Sequence, residues 1–199
     1  MRIPYTPNPP TTTDAEDQAI ISRIEARRAP RPLQPLDLAL LHAPPVADGW
    51  NAFLGAIRTR TLLPASLREL AICRVAVCNR AWYEWGHHAP LAAQAGLGPR
   101  AMAVCRVEDL STLFEGGERE EAREDGLGDK EWAVLRYADE MTRKVAVSEE
   151  TFAALRAVCD EREVVEVTAV VAAYNCVSRF LVALDVGERN STGPDDVAH

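Results

Sequence analysis

The chain has 199 residues, 47% of them hydrophobic and 26% charged, with a formal charge of −8 at neutral pH. That length fits one medium-sized globular domain, able to bury roughly two-thirds of its unfolded surface without disulfides or structural metals. The negative charge argues against a nucleic-acid groove or an anionic membrane as the main partner. No run of 18 or more apolar residues implies a membrane span, and MRIPYTPNPPTTTDAEDQ at the start carries no apolar signal-peptide core. The cysteines, Cys73, Cys78, Cys105, Cys159 and Cys176, form an odd set, several within apolar helical patterns. They read as free, buried thiols in a reducing compartment, with the cytoplasm as the expected location.

In chain order, residues 1–13 hold four prolines and should form an extended or disordered arm. Asp14 opens a helix over about Ala15–Arg28, with Ile20, Ile21 and Ile24 on one side. Three prolines in Ala29–Pro35 end it, and a short helix over Leu36–His42 is expected to stop at Pro44-Pro45. Trp50, Phe53, Leu54 and Ile57 then give helical spacing over Val46–Thr59. Ser66 with Glu69 three residues on has the capping-box pattern at the start of an apolar helix, Leu67 to about Arg80. A further helix runs from Trp82 to Ala95 and stops at Gly96. Residues 106–129, rich in acids and glycines, read as a solvated surface loop with at most a fragment of helix.

Helices resume over Lys130–Arg143 and Ser148–Cys159, and a long buried helix spans about Arg162–Asp185. The tail from Gly187 to His199 reads as disordered, so residues 14–186 form the expected domain. No period-2 strands and no convincing internal repeat are visible. The predicted class is therefore all-α, a single-domain helical bundle.

Glu84 and His88 stand four apart and so share one helical face. A carboxylate beside an imidazole fixes its tautomer and raises its basicity, the preparation needed by a general acid or base. Their neighbours Trp82, Tyr83, Trp85, Pro90 and Leu91 do not suit a solvated surface pair. Glu69, in the preceding helix, has two readings: the capping partner of Ser66, or a second carboxylate aimed at His88 across a helical hairpin. A di-iron reading of Glu84-x-x-His87, with Glu163-x-x-Glu166 as extra carboxylates, lacks the second Glu-x-x-His that such sites require. No metal is expected.

The segment LPASLRELAICRVAVCNRAWYEWGHHAPLAAQAGL resembles the core signature of the carboxymuconolactone decarboxylase family, within the alkylhydroperoxidase-D-like superfamily. LHAPPVADGWNAFLGAI upstream, and EWAVLRYADEM, VSEETFAAL and VVEVTAVVAAYNCVSRFLVALDV downstream, extend the likeness over about residues 36–186. The resemblance implies the alkylhydroperoxidase-D-like helical bundle and places Glu69 and His88 at the family's Glu and His positions. Ala81 and Glu84 fall where the peroxidase branch carries its Cys-x-x-Cys, and Cys78 lies three residues too early. Thiol peroxidase chemistry needs that low-pKa pair, so the expectation is the branch without it.

For that branch the resemblance implies a decarboxylase that needs no metal or organic cofactor, with Glu69, Glu84 and His88 as its catalytic group. Its substrate would be a small carboxylated lactone or related acid. Tyr83, Trp85, His87, Asn175 and Arg179 complete the candidate substrate-binding set. Arginine forms bidentate pairs with carboxylates, which makes Arg74 and Arg179 candidate clamps; for Arg74 the competing role is an ordinary helix-surface charge. Another proton-transfer reaction, such as isomerisation or cyclisation, or a non-catalytic oligomeric protein are the alternatives. The resemblance also implies a homo-oligomer, a trimer or hexamer, with no nucleic-acid or membrane partner.

Overall fold

A computed structural model describes residues 1–110 and 118–196, and among these the regular structure is entirely helical. The helices are α1 (Ala15–Arg28), α2 (Pro35–Leu40), α3 (Pro44–Thr59), α4 (Ala65–Cys78) and α5 (Trp82–Gln94). They continue with α6 (Pro99–Arg106), α7 (Glu118–Glu124), α8 (Asp129–Lys144), α9 (Glu149–Arg156) and α10 (Glu161–Leu184). The all-α expectation holds. The chain divides into two compact units: residues 1–61 with 183–188, and residues 62–182 with the C-terminal tail.

In the first unit, Asp14 caps α1 as its sequence position predicts, accepting from the backbone N–H groups of Glu16 and Asp17 at 2.8 and 3.0 Å. Ile20, Ile21 and Ile24 face inward, and α1 packs on α3. Pro44 and Pro45 do not end α2; they are the first two residues of α3. Proline suits that position because the first-turn N–H groups have no helical partner to lose. The buried Asp37 pairs with Arg28 at 2.7 Å and accepts the Gln34 N–H at 2.8 Å, closing the turn into α2. The proline-rich arm is extended and tied down: Arg2 N–H donates to Leu184 O at 2.7 Å, and the Thr6 hydroxyl to Leu38 O at 2.8 Å.

In the second unit α4 is the central helix, buried along nearly its whole length and packed against α5, α6 and α8. It begins two residues earlier than the Ser66 pattern predicts, with Pro64 at the N-cap and no side-chain cap. Ser66 therefore lies inside the first turn, and Glu69 has no capping role to fill.

The turn from α4 to α5 is a Schellman motif: Ala81 N–H donates to Ala76 O at 2.8 Å and Arg80 N–H to Val77 O at 3.1 Å. Arg80 takes the left-handed position (φ 52°) that glycine usually fills. Gly96 fills the same position after α5, as predicted, and Gly126 does so after α7. These two turns touch, since a Cβ on Gly126 would lie 2.4 Å from Gly96 O. The acidic stretch is consequently less solvated than its composition suggests: Leu110, Ala122 and Leu127 are buried. Residues 111–117 of that stretch lie outside the described residues.

α10 is long and apolar enough to cross a membrane, with a mean hydropathy of 1.7 over an 18-residue window. Nearly half of that window is buried within the protein, through Val167, Val170, Val171 and Ala173 among others. The start of the tail makes turns, with Asn190 Nδ2 donating to Val182 O at 2.7 Å and Arg106 pairing with Asp195 at 2.8 Å. Residues 197–199 of the tail expected to be disordered lie outside the described residues.

Candidate functional site

Three helices of the second unit each contribute two residues four apart, a spacing that puts both on one face. They are Glu69 and Cys73 on α4, Glu84 and His88 on α5, and Tyr174 and Ser178 on α10. One level of this group is Glu69, His88 and Tyr174. His88 Nδ1 lies 2.6 Å from Glu69 Oε2, and the His88 ring meets the Tyr174 ring edge-on at 5.0 Å. With the carboxylate ionised, Nδ1–H is the donor, which directs Nε2 to the other side of the ring. Glu69 and His88 are only 4% and 6% exposed, so little water screens their interaction. Arg68 Nε donates to the other carboxylate oxygen of Glu69 at 3.3 Å.

The second level is Cys73, Glu84 and Ser178. Glu84 is 2% exposed, and Ser178 Oγ lies 3.1 Å from both of its carboxyl oxygens. Burial pushes the Glu84 carboxyl well above the usual carboxylate range, with the Ser178 hydrogen bond acting weakly the other way. Burial likewise pushes the Cys73 thiol well up, with the Cys105 and Glu69 groups adding in the same direction. The i,i+4 expectation is thus corrected in one respect. Glu84 and His88 do share a face, but the carboxylate that engages His88 is Glu69, because Glu84 turns to α10.

The remaining predicted residues spread over several environments. Tyr83 and His87 stack on each other, with ring centroids 4.4 Å apart, and exposed His87 donates from Nδ1 to Tyr83 O at 2.8 Å. With Glu84 buried on Ser178, the Glu84-x-x-His87 pair forms no chelate; among the described residues no three His, Cys, Asp or Glu groups cluster to hold a metal. Trp85 is a core residue that also lines an open cleft of about 450 Å³ on another side of α5, along with Pro90, Met102 and Arg106. Neither Glu69, Glu84 nor His88 lines that cleft.

Asn175 and Arg179 belong to a separate polar network. Asn175 Nδ2 donates to Thr142 Oγ1 at 3.0 Å, Asn79 Nδ2 donates to Asn175 Oδ1 at 3.2 Å, and Arg179 Nη1 donates to Asn175 O at 3.0 Å. Arg74 is neither a clamp nor a surface charge. It is fully buried, and its guanidinium donates to Asp139 at 2.9 Å, Cys105 O at 2.8 Å and Val107 O at 2.6 Å. The residues that sequence reasoning missed are Arg68, Cys73, Tyr174 and Ser178. A serine four residues after a tyrosine in a Val- and Ala-rich helix was the one signal available for the last two.

The all-α fold thus carries a buried Glu–His pair across the α4–α5 hairpin. Residues 44–140, just under half of the chain, match the Carboxymuconolactone decarboxylase family. No functionally curated protein matches it in sequence.

Three solved structures share the fold. A protein of unknown function from Agrobacterium tumefaciens, ATU0492, described as a putative antioxidant defence protein AhpD, is 19% identical with a TM-score of 0.59 over 77% of this chain and 93% of its own. An uncharacterized peroxidase-related protein from Silicibacter sp. TM1040 is 15% identical with a TM-score of 0.68, covering 95% of each chain. The debrominase Bmp8, solved as a cysteine-to-alanine variant in complex with 2,3,4-tribromopyrrole, is 15% identical with a TM-score of 0.66 over 92% of this chain and 89% of its own.

Proposed function

We propose that this protein is a decarboxylase-like enzyme in which Glu69 and His88 perform the acid–base chemistry on a small carboxylated lactone or related acid. The observation that carries the reading is the 2.6 Å contact between His88 Nδ1 and Glu69 Oε2, buried under Tyr174. Loss of CO2 breaks a carbon–carbon bond and leaves its electron pair delocalised through the alkene onto the lactone carbonyl oxygen. A protonated His88 stabilises that oxyanion or returns a proton to carbon from Nε2, while Glu69 holds the ring by Nδ1. Arg68 Nε donates to the same carboxylate and helps fix its orientation. The same pair would serve isomerisation or cyclisation, where a proton leaves one carbon and returns to another.

Thiolate chemistry has little support among the buried cysteines of α4 and α6. Burial pushes Cys78 and Cys105 up to about 12 and Cys73 well up, so at neutral pH all three are thiols. The free state of all five cysteines fits a reducing cytoplasm. Exposed Leu62 and Val165 in one unit, and Val46 and Phe53 in the other, support assembly into a homo-oligomer, expected to run as a trimer or hexamer on a sizing column.

The test is CO2 release from a panel of small carboxylated lactones and aromatic acids, comparing wild type with His88→Gln and Glu69→Gln. Turnover should fall by about 10²- to 10⁴-fold in His88→Gln while the melting transition survives. Unchanged turnover in a folded His88→Gln would sink the assignment.

A further inference from the structure

Ser178 carries one hydroxyl proton, and three acceptors surround its oxygen. Tyr174 O is 2.8 Å away, and the two carboxyl oxygens of Glu84 are each at 3.1 Å. The carbonyl can only accept, and it is the nearest of the three. If the Ser178 proton goes to Tyr174 O, the contact with Glu84 is a hydrogen bond only when Glu84 supplies the proton. Among the described residues Glu84 has no other hydrogen-bond partner and no cation, and it is 2% exposed. A carboxylate ion there would face a hydroxyl already committed elsewhere, which is far costlier than holding a proton.

We infer that Glu84 is a neutral carboxylic acid at physiological pH, donating its proton to Ser178 Oγ and so locking α5 to α10. The surrounding ionisable groups agree. From α4, Glu69 and Cys73 offer a second carboxylate and a neutral thiol; on α5, His88 is committed to Glu69; from α10 come Tyr174 and Ser178, which carry no charge. None of them is a cation free to hold a second anion. The upward push that burial gives the Glu84 carboxyl points the same way.

Glu84 is then a positioning residue. The directed chain from Glu84 to Ser178 to Tyr174 O fixes one turn of α5 against one turn of α10, and the next turn carries His88 against the Tyr174 ring. This link to catalysis rests on the reading of Glu69 and His88 as the acid–base pair. The protonation state does not, and the tests below use no activity.

The sign of the pH dependence follows. In the unfolded chain Glu84 ionises near its ordinary value of 4.5, whereas in the fold it keeps its proton. The native state then holds one more proton, so stability falls as pH rises, by about tenfold in the folding constant per pH unit, until Glu84 ionises in the fold. Glutamine also donates to Ser178 but has no proton to lose. Chemical unfolding of wild type and Glu84→Gln from pH 5 to 9 should therefore give curves that diverge by about this slope, with the variant gaining on wild type. Parallel curves would overturn the inference.

Infrared spectra of the wild-type chain carrying carboxyl-labelled glutamate need no variant. A protonated-carboxyl C=O band at neutral pH is expected, and its absence would overturn the inference even if Glu84→Gln failed to fold. In Ser178→Ala that band should move to higher frequency; a band that stays in place would remove Ser178 as the acceptor.

Discussion

The two faces of α4 handle buried polarity in opposite ways. On the side of α6 and α8, Arg74 keeps its charge at zero exposure because acceptors converge on it: Asp139 and the carbonyls of Cys105 and Val107. On the side of α5 and α10, Glu84 meets a single hydroxyl, and Glu69 meets the imidazole of His88 and one edge of Arg68. A buried charge surrounded by fixed partners is a staple, whereas a buried acid that meets a single hydroxyl is held more cheaply as the neutral form. The difference teaches how this fold sorts buried groups: a charge is kept where several acceptors converge and given up where a carboxyl meets one hydroxyl.

The comparison breaks most visibly at Arg74. Its replacement by methionine leaves two carbonyls without their donor and Asp139 with Arg143 as its remaining guanidinium partner, so a loss of about 3–5 kcal/mol is expected in urea unfolding. A loss below about 1 kcal/mol would mean that the staple is ornamental.

The acid limb should move as well. Burial raises the Asp139 carboxyl, but Arg74 and the hydrogen bonds from Arg143 and Arg74 outweigh it and hold the group below its ordinary 3.8. Its stabilisation is therefore present above the ordinary carboxylate range and lost as pH falls below it. Arg74→Met should weaken this acid-side loss.

The smallest effect lies at the hinge of the hairpin that carries both faces. Arg80 occupies a left-handed position, at a cost of about 1 kcal/mol for a residue with a Cβ. Arg80→Gly should recover part of that, raising the unfolding midpoint slightly, with no change in the Glu69–His88 contact. A clear loss of stability would show that the exposed Arg80–Glu108 ion pair matters more than the backbone.

Much of this was legible in the sequence, for local reasons. The bounds of α1, the Asp14 cap and the Gly96 stop depend on residues within one turn of each other, and all three appear as predicted. The hairpin of α4 and α5 was readable too, and the family resemblance put Glu69 and His88 at its Glu and His positions, although spacing alone paired His88 with Glu84. What failed to show was set by distant residues. Spacing puts Glu84 on the His88 face but cannot say that Ser178, 94 positions later, will take its carboxyl. Arg74 looks like a surface charge until Asp139, 65 positions on, and the end of α6 enclose it. Pro44-Pro45 reads equally as a stop or a start, and the choice fell to the packing of α3 on α1 and α2.

The central claim is that two glutamate side chains near one imidazole do different work: Glu69 holds His88, and Glu84 holds α10. Proton NMR of the His88 Nδ1–H tests it directly. The account predicts a strongly downfield resonance in the wild type that disappears in Glu69→Gln and persists in Glu84→Gln. A resonance that survives loss of the Glu69 carboxylate, or vanishes with that of Glu84, would contradict it.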